Sequence, residues 1–157
     1  MSDLLVKLYE LPDPATAAVR MAAAGIVIRR PLPPDRRSVV RWVEKHFGDR
    51  WAGEAETALA RTPAAMHTAV NQVGEICGFA CHDVTFRGFF GPAGVPEGLR
   101  GQGIGTALLH AALRTMADSG FAYAIIGGSG DDEFYRKTVN AIPVPGSDPG
   151  PYGLWRS

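Results

Sequence analysis

Hydrophobic and polar residues follow two different periods along the chain, and segments of the two kinds alternate. Short apolar runs rich in Val, Ile, Leu and aromatic residues predict strands, and longer segments with an apolar face predict helices. The predicted strands cover residues 4–9, 26–30, 66–72, 75–83, 86–95 and 122–126, with a last pair over 141–144 and 153–155. The predicted helices cover residues 14–24, 35–47, 51–61, 103–119 and 131–139.

The segment 103–119 is the best-defined helix. Its polar residues recur at every fourth position, at Thr106, His110, Arg114 and Asp118, and apolar residues cover most of the remaining surface. Such a helix is largely buried. Strands on both sides of it imply a parallel pair joined by a crossover, and the run of strands before it implies antiparallel pairing. The sequence therefore predicts a mixed sheet in an α/β or α+β fold.

The predicted strand 86–95 is interrupted by Gly91, Pro92 and Gly94. Proline has no N–H to donate to a neighbouring strand, and glycine often marks a bulge. We therefore expect this strand to bulge or splay away from its neighbour just before helix 103–119.

Composition narrows the class of protein. The 157 residues suggest one domain, and a formal net charge of zero gives no sign of non-specific nucleic-acid binding. No apolar run approaches the roughly 18 residues of a membrane span, and the N-terminal apolar run is too short for a signal peptide. We expect a single-domain cytoplasmic protein without a nucleic-acid or membrane partner.

The two cysteines, Cys77 and Cys81, fall in one predicted strand. On a regular strand they share a face and lie about 13 Å apart. A disulfide needs Cα atoms within about 7 Å, so we expect two unbridged, buried thiols. His82 is expected on the opposite face from Cys81, and no third ligand beside the cysteines suggests a metal site.

The sequence Arg100-Gly101-Gln102-Gly103-Ile104-Gly105-Thr106 leads into the buried helix. Glycine at alternate positions leaves the backbone bare where the helix begins. The first turn of a helix has unpaired N–H donors and the positive end of the helix dipole, so this stretch suits a phosphate or pyrophosphate group.

Two common phosphate-binding motifs do not fit this stretch. A Walker loop needs Lys and then Ser or Thr after its last glycine, but Thr106 and Ala107 follow Gly105. A dinucleotide fingerprint needs a third glycine where Thr106 stands, and an acid after the next strand, which ends in glycines instead.

The same stretch fits the Gln/Arg-x-x-Gly-x-Gly/Ala signature of the GNAT superfamily of N-acetyltransferases at every position. A second segment, Phe134-Tyr135-Arg136-Lys137 followed by Ala141-Ile142-Pro143, resembles the family's Phe-Tyr-x-Lys-x-Gly-Phe/Ala run. The resemblance covers residues 26–157, and residues 1–24 look like a strand–helix addition before that core. It implies a mostly antiparallel sheet with a central splayed parallel pair and helices on both faces, within one domain over 1–157.

The resemblance implies direct transfer of an acetyl group from acetyl-CoA to an amine, without a metal. Tyr135 matches the tyrosine that protonates the leaving thiolate, and a backbone N–H near Ala93 to Val95 would polarise the thioester. Ser129 stands in a loop where many members carry asparagine, and Asn140 replaces a glycine. The implied cofactor-binding residues are Ala93, Val95, Arg100, Gly101, Gln102, Gly103, Ile104, Gly105, Thr106 and Ser129.

The acceptor and the general base stay open. Strand 86–95 contains no acid or histidine, so the base alternatives are Asp83, His82 or a water chain, with Glu97 the less favoured carboxylate. The family's acceptor region would include residues from the early helices and the last strands. The candidates are Trp42, Phe47, Trp51, Tyr152, Trp155, Glu54 and Glu56.

Several partners and functions stay compatible with the sequence. The expected acceptor is a small-molecule or peptide amine, and a homodimer is left open. The alternative function is a non-catalytic acyl-CoA-binding module of the same fold, and a weaker one is a nucleotide binder that uses the same glycine loop.

Overall fold

The computed structural model describes residues 1–152 as one mixed sheet with helices on both faces. The predicted strand 153–155 lies outside these residues. The strands are β1 (Leu4–Lys7), β2 (Val27–Arg29), β3 (Met66–Val70), β4 (Ile76–His82), β5 (Phe89–Gly94), β6 (Tyr123–Ile126) and β7 (Ile142–Pro143). The helices are α1 (Ala15–Ala24), α2 (Arg36–Phe47), α3 (Asp49–Leu59), α4 (Ile104–Asp118) and α5 (Asp132–Val139).

The strands lie in the order β2-β3-β4-β5-β6-β1-β7. Neighbouring strands are antiparallel except β5 and β6, which are parallel and are joined through α4. The mixed sheet with a single parallel pair, expected from the position of the buried helix, is therefore confirmed for the described residues.

The sheet separates two hydrophobic cores. Helices α1, α4 and α5 cover one face, where Leu108 and Leu113 of α4 are buried. Helices α2 and α3 cover the other face, where Val43 and Phe79 are buried. Helix α4 sits close to β4, because a Cβ at Gly78 would lie 2.9 Å from the Leu108 side chain.

The N-terminal segment is an integral part of this sheet. β1 lies between β6 and β7, with Leu4 opposite Ile126 on one side and Pro143 on the other. In α1, Ala17 and Met21 are buried in the core shared with α4. The relation of residues 1–24 to the family core stays a prediction, but in this structure they supply an interior strand and a covering helix.

The cysteines are free and buried, as expected, but they do not share a face. Cys77 packs in the core beneath α4, and Cys81 packs in the core beneath α2 and α3. The prediction of one face was wrong because the β3–β4 register shifts at this point: Ala69 faces Gly78 and Val70 faces Ile76, so Cys77 is an extra residue. A bulge of this kind reverses the alternation of side chains.

Candidate functional site

β5 pairs with its parallel partner β6 only over its first two residues. Phe89 and Phe90 pair with Ile125 and Ile126, and β5 then continues to Gly94 while β6 ends. On the β4 side, Ala80 faces Ala93 but His82 faces Phe90, which places an extra residue at Gly91–Pro92. Gly91 has a φ of +114°, which side chains rarely adopt. The predicted splay is therefore present, between β5 and the loop that follows β6.

The glycine stretch lies at the start of α4, beside the end of β5. Gly101 and Gly103 have φ values of +86° and +89°, and no side chain caps the helix. The N–H groups of the first turn therefore lack a side-chain partner and point out of the helix end. A Cβ at Gly105 would reach Val95 and Phe134 only at 3.9 and 4.0 Å, so this helix end sits next to β5 and α5.

The polar side chains of this stretch donate hydrogen bonds to nearby backbone carbonyls. Arg100 Nε donates to the Val95 carbonyl at 3.0 Å, and Gln102 Nε2 donates to the Leu99 carbonyl at 3.2 Å. Ile104 is buried in the core, and Thr106 is half-buried. What the loop offers to a ligand is mainly its backbone, which agrees with the role inferred from its glycines.

Tyr135 lies where β5 and β6 part. It is in α5, whose start is capped by Asp131 Oδ1 accepting from Phe134 N at 3.2 Å, and whose end has Asn140 at a φ of +57°. Its ring is 6.1 Å from that of Phe90, the last β5 residue paired with β6. Burial, with Asp131 adding to it, raises the pKa of Tyr135 to about 12, so its hydroxyl carries a proton at neutral pH.

The loop after β6 closes the other side of the splay. Ser129 is buried, and its Oγ accepts from Asp131 N at 3.1 Å. Asp3 Oδ1 accepts from Gly128 N at 2.9 Å. Asp3 precedes the interior strand β1, and sequence reasoning missed it because nothing near Asp3 in sequence indicates a loop 125 residues away.

Aromatic residues lie beneath the end of β5, on the face of the sheet that α2 and α3 cover. Phe47, at the end of α2, lies against β5, because a Cβ at Gly94 would be 2.6 Å from its ring. The rings of Trp51 and Trp42 are 5.3 and 5.8 Å from that of Phe47. Three of the predicted acceptor residues therefore form one cluster beneath the end of β5.

Tyr152 brings a second group to this face. Its hydroxyl lies against Gly127, where a Cβ would collide with it, and its ring is 6.0 Å from Phe86. Burial, then the charges of Glu54 and Asp3, raise the pKa of Tyr152 to about 12. The Thr85 hydroxyl donates to the Glu54 carboxylate. Glu54 thus lies near Thr85 and Tyr152, whereas Glu56 is exposed and Trp155 lies outside the described residues.

The residues considered as a general base lie elsewhere. Asp83 Oδ1 accepts from Gly88 N at 2.7 Å, and its other oxygen is 3.8 Å from Arg61. His82 and Asp83 line a separate cavity of about 210 Å³ with Arg30 and Thr115. Glu97 is exposed in a turn before the glycine loop. The His82 and Asp83 side chains therefore face this cavity, and Glu97 faces solvent.

Arg20 of α1 is a further residue that the sequence did not point to. Its Nη2 donates to the Gly101 carbonyl at 3.2 Å, and its Nη1 is 2.8 Å from the place a Cβ would take at Gly103. The guanidinium therefore lies across the glycine loop. Only the packing of α1 against α4 brings it there, so no local sequence signal marks it.

Two general features concern the described part of the chain as a whole. No helix within residues 1–152 has both the length and the apolar character needed to cross a membrane. No cluster of three or more His, Cys, Asp or Glu side chains in the same residues is arranged to hold a metal ion.

Comparison with protein families gives one match. The model of the acetyltransferase (GNAT) family matches residues 36–137, which is well over half of the chain and includes the glycine loop and Tyr135. A comparison with curated protein sequences finds no match.

Three solved structures illustrate the structural likeness. The glucosamine N-acetyltransferase region of a fungal multi-domain β-N-acetylglucosaminidase has a TM-score of 0.76 at 14% identity, over 91% of this chain and 19% of that chain. A GCN5-related N-acetyltransferase from Sphaerobacter thermophilus has a TM-score of 0.68 at 21% identity, over 91% and 48% of the two chains. An Escherichia coli GNAT-family N-acetyltransferase in complex with CoA has a TM-score of 0.51 at 18% identity, over 62% and 59%.

These identities make the likeness one of fold. The chain also spans less than two thirds of the length of each of the three proteins.

Proposed function

The chain belongs to the GNAT family of acetyltransferases, and we propose that it transfers an acetyl group from acetyl-CoA directly to the amine of an acceptor. The observation that carries this proposal is the position of three features around one opening. Three features lie near the split between β5 and β6: the bare start of α4, the end of β5 that has no partner on its β6 side, and the ring of Tyr135, whose hydroxyl is protonated.

Donor binding follows from backbone groups. The N–H groups of residues 101–106 would bind the pyrophosphate, where the dipole of α4 favours negative charge. The pantetheine arm would lie along β5 beyond Phe90 as an added strand. A backbone N–H at Ala93 or Val95 would then polarise the thioester carbonyl.

The chemical step forms a carbon–nitrogen bond and breaks a carbon–sulfur bond. The neutral amine nitrogen attacks the thioester carbon to form a tetrahedral intermediate, and this nitrogen then loses a proton to solvent. The carbon–sulfur bond breaks to leave the neutral amide and a CoA thiolate. Tyr135 gives its proton to the thiolate sulfur and is reprotonated from solvent. Burial raises the pKa of Tyr135 to about 12, so its hydroxyl carries the proton that this step requires.

The acceptor is proposed to enter from the α2–α3 side. Phe47 and Trp51 offer an apolar wall, Tyr152 offers a hydroxyl beside Gly127, and Glu54 offers a carboxylate at Thr85. A carboxylate at this place attracts the acceptor while the acceptor is still an ammonium ion, before the amine loses its proton and reacts. A small amine such as an amino sugar or a peptide amine fits the mixture of aromatic and acidic groups.

Release of free CoA thiol tests this proposal. Acetyl-CoA would be incubated with the protein and a panel of amino sugars, polyamines and peptides, and thiol release would be followed with and without each amine. Amine-dependent release, with an amide product of the expected mass, is the expected result. Acetyl-CoA binding without turnover on any amine would favour a non-catalytic acyl-CoA-binding module, an alternative supported by the absence of an acid or histidine from β5.

A further inference from the structure

α1 places a cation on the glycine loop from a part of the chain outside the 36–137 family match. Ala17 and Met21 anchor the helix, since both are buried in the core that α4 also forms. Arg20 precedes Met21 and is exposed. α1 is packed onto α4 through these buried neighbours, and the Arg20 side chain extends from it over the start of α4.

The guanidinium group lies close to the loop backbone. Its Nη1, Cζ and Nε atoms lie 2.8, 2.9 and 3.2 Å from the Cβ position at Gly103, and its Nη2 donates to the Gly101 carbonyl at 3.2 Å. A guanidinium has five N–H donors, and only this one hydrogen bond is found among the described residues. No carboxylate of residues 1–152 forms a salt bridge with Arg20.

The position of Gly103 adds a steric argument. Gly103 immediately precedes α4, and a side chain there would occupy the space that the guanidinium takes. The chain thus keeps a bare backbone and an unpaired cation together at the helix end where the N–H donors point. Guanidinium groups match phosphate oxygens well, since they bind them through paired hydrogen bonds.

We propose that Arg20 binds the pyrophosphate of acetyl-CoA, so that the N-terminal segment completes the donor site. This inference rests on the proposed function, because it assumes that the donor is a CoA thioester. Arg20 would close over the pyrophosphate from the α1 side while the N–H groups of residues 101–106 hold it from the α4 side. Hydrogen bonds to a charged partner are among the stronger ones, and the expected contribution to affinity is about tenfold to a hundredfold.

The test compares Arg20→Ala and Arg20→Lys with the unchanged protein. Calorimetry would measure the Kd of acetyl-CoA, of its 3′-dephospho form and of S-acetylpantetheine, which lacks the pyrophosphate. The Arg41→Ala variant is the matched control, because Arg41 is also exposed but belongs to α2 on the other face of the sheet.

Arg20→Ala is expected to raise the Kd of acetyl-CoA and of the dephospho form by about tenfold to a hundredfold and to leave that of S-acetylpantetheine unchanged. Arg20→Lys should keep part of the affinity, and Arg41→Ala all of it. A Kd for acetyl-CoA within twofold of the unchanged protein would overturn the inference. Equal losses with all three donors would also overturn it, because Arg20 would then only support the loop.

A loss that disappears with the dephospho form would assign Arg20 to the 3′-phosphate and overturn the pyrophosphate assignment. The proposed function fails separately: in that case the unchanged protein itself would not bind acetyl-CoA, and the inference would fall with it.

Discussion

Tyr135 lies beside Phe90, the last β5 residue that pairs with β6, and it is the proposed proton donor. Its ring packs on Phe90, and burial keeps its hydroxyl protonated over the whole range in which the protein would be assayed. Its hydroxyl therefore carries the proton that the departing thiolate would take up.

Tyr135→Phe is expected to lower kcat by about 10²-fold or more, because general acid help of this kind contributes about 10²–10⁴-fold. The Kd of acetyl-CoA should change little, since the ring and its packing stay. Steady-state kinetics of thiol release, with Kd from calorimetry, measure both quantities. Tyr123→Phe is the control, because Tyr123 is exposed and its hydroxyl lies 3.4 Å from that of Tyr9. An unchanged kcat in Tyr135→Phe would rule out the acid role.

His67 and His82 form a buried pair whose protonation affects the stability of the folded protein. Their rings are 5.8 Å apart and buried, and His67 Nδ1 and His82 Nε2 have no hydrogen-bond partner among the described residues. Burial, with the charge of Arg30 adding to it, lowers the pKa of each to about 4. Both histidines are therefore neutral in the folded protein at neutral pH.

The sign of the effect on stability follows from these values. In the unfolded chain a histidine binds a proton below about pH 6.5, while in the folded protein these two bind one only near pH 4. The free energy of unfolding should therefore fall as the pH drops from about 6.5 to 4, by up to about 1.4 kcal/mol per pH unit for each histidine. His82→Gln should have a shallower fall, measured by urea unfolding at pH 7.5, 6 and 5. Parallel curves for the variant and the unchanged protein would contradict the assignment.

At the scale of elements, the junction of the glycine loop with α4 combines a backbone requirement with a steric one. Gly103 has a left-handed φ of +89°, and any side chain there would meet the Arg20 guanidinium. The same junction is the proposed pyrophosphate site. Stability and donor affinity should consequently respond together to a change at this position.

Gly103→Ala is expected to lower the free energy of unfolding by about 1–2 kcal/mol, because a left-handed backbone with a Cβ costs that much. It should also weaken acetyl-CoA binding, since the displaced arginine and the new methyl group occupy the cradle. Gly53→Ala is the matched control: Gly53 lies inside α3, where a Cβ would meet nothing, and alanine should stabilise the helix by about 0.5–1 kcal/mol. Denaturant unfolding and calorimetry measure both effects, and full acetyl-CoA affinity in Gly103→Ala would contradict the proposed cradle.

The sequence predicted local features of the elements well where a local rule decides them. Gly25 ends α1, Asp131 caps α5, and Asn140 ends α5 in the left-handed region, as expected from these residue types. The bulge at Cys77 was not predictable, because it depends on how β4 pairs with β3 and not on the residues of β4 alone. Because of this bulge, Cys77 lies on the other face of the sheet from Cys81.

For the molecule as a whole, local sequence patterns do not contain the order of the strands in the sheet. The predicted strand 4–9 forms as Leu4–Lys7, and its place between β6 and β7 joins residues more than one hundred positions apart. Strand periodicity predicts that a segment pairs, but not with which partner. The glycine stretch and Tyr135 could be proposed from the sequence because they belong to compact motifs, whereas Asp3 and Arg20 come to the same region only through this long-range pairing and packing.

Every proposed role depends on the binding of acetyl-CoA at the split between β5 and β6. The melting temperature of the protein with acetyl-CoA tests this binding most directly. A ligand at about 100 times its Kd stabilises the folded state by roughly 2.7 kcal/mol, which corresponds to several degrees for a domain of this size. We predict such a rise with acetyl-CoA or CoA at millimolar concentration and none with ATP or NAD at the same concentration. An unchanged melting temperature with acetyl-CoA, or an equal rise with NAD, would contradict the assignment of the glycine loop to a CoA thioester.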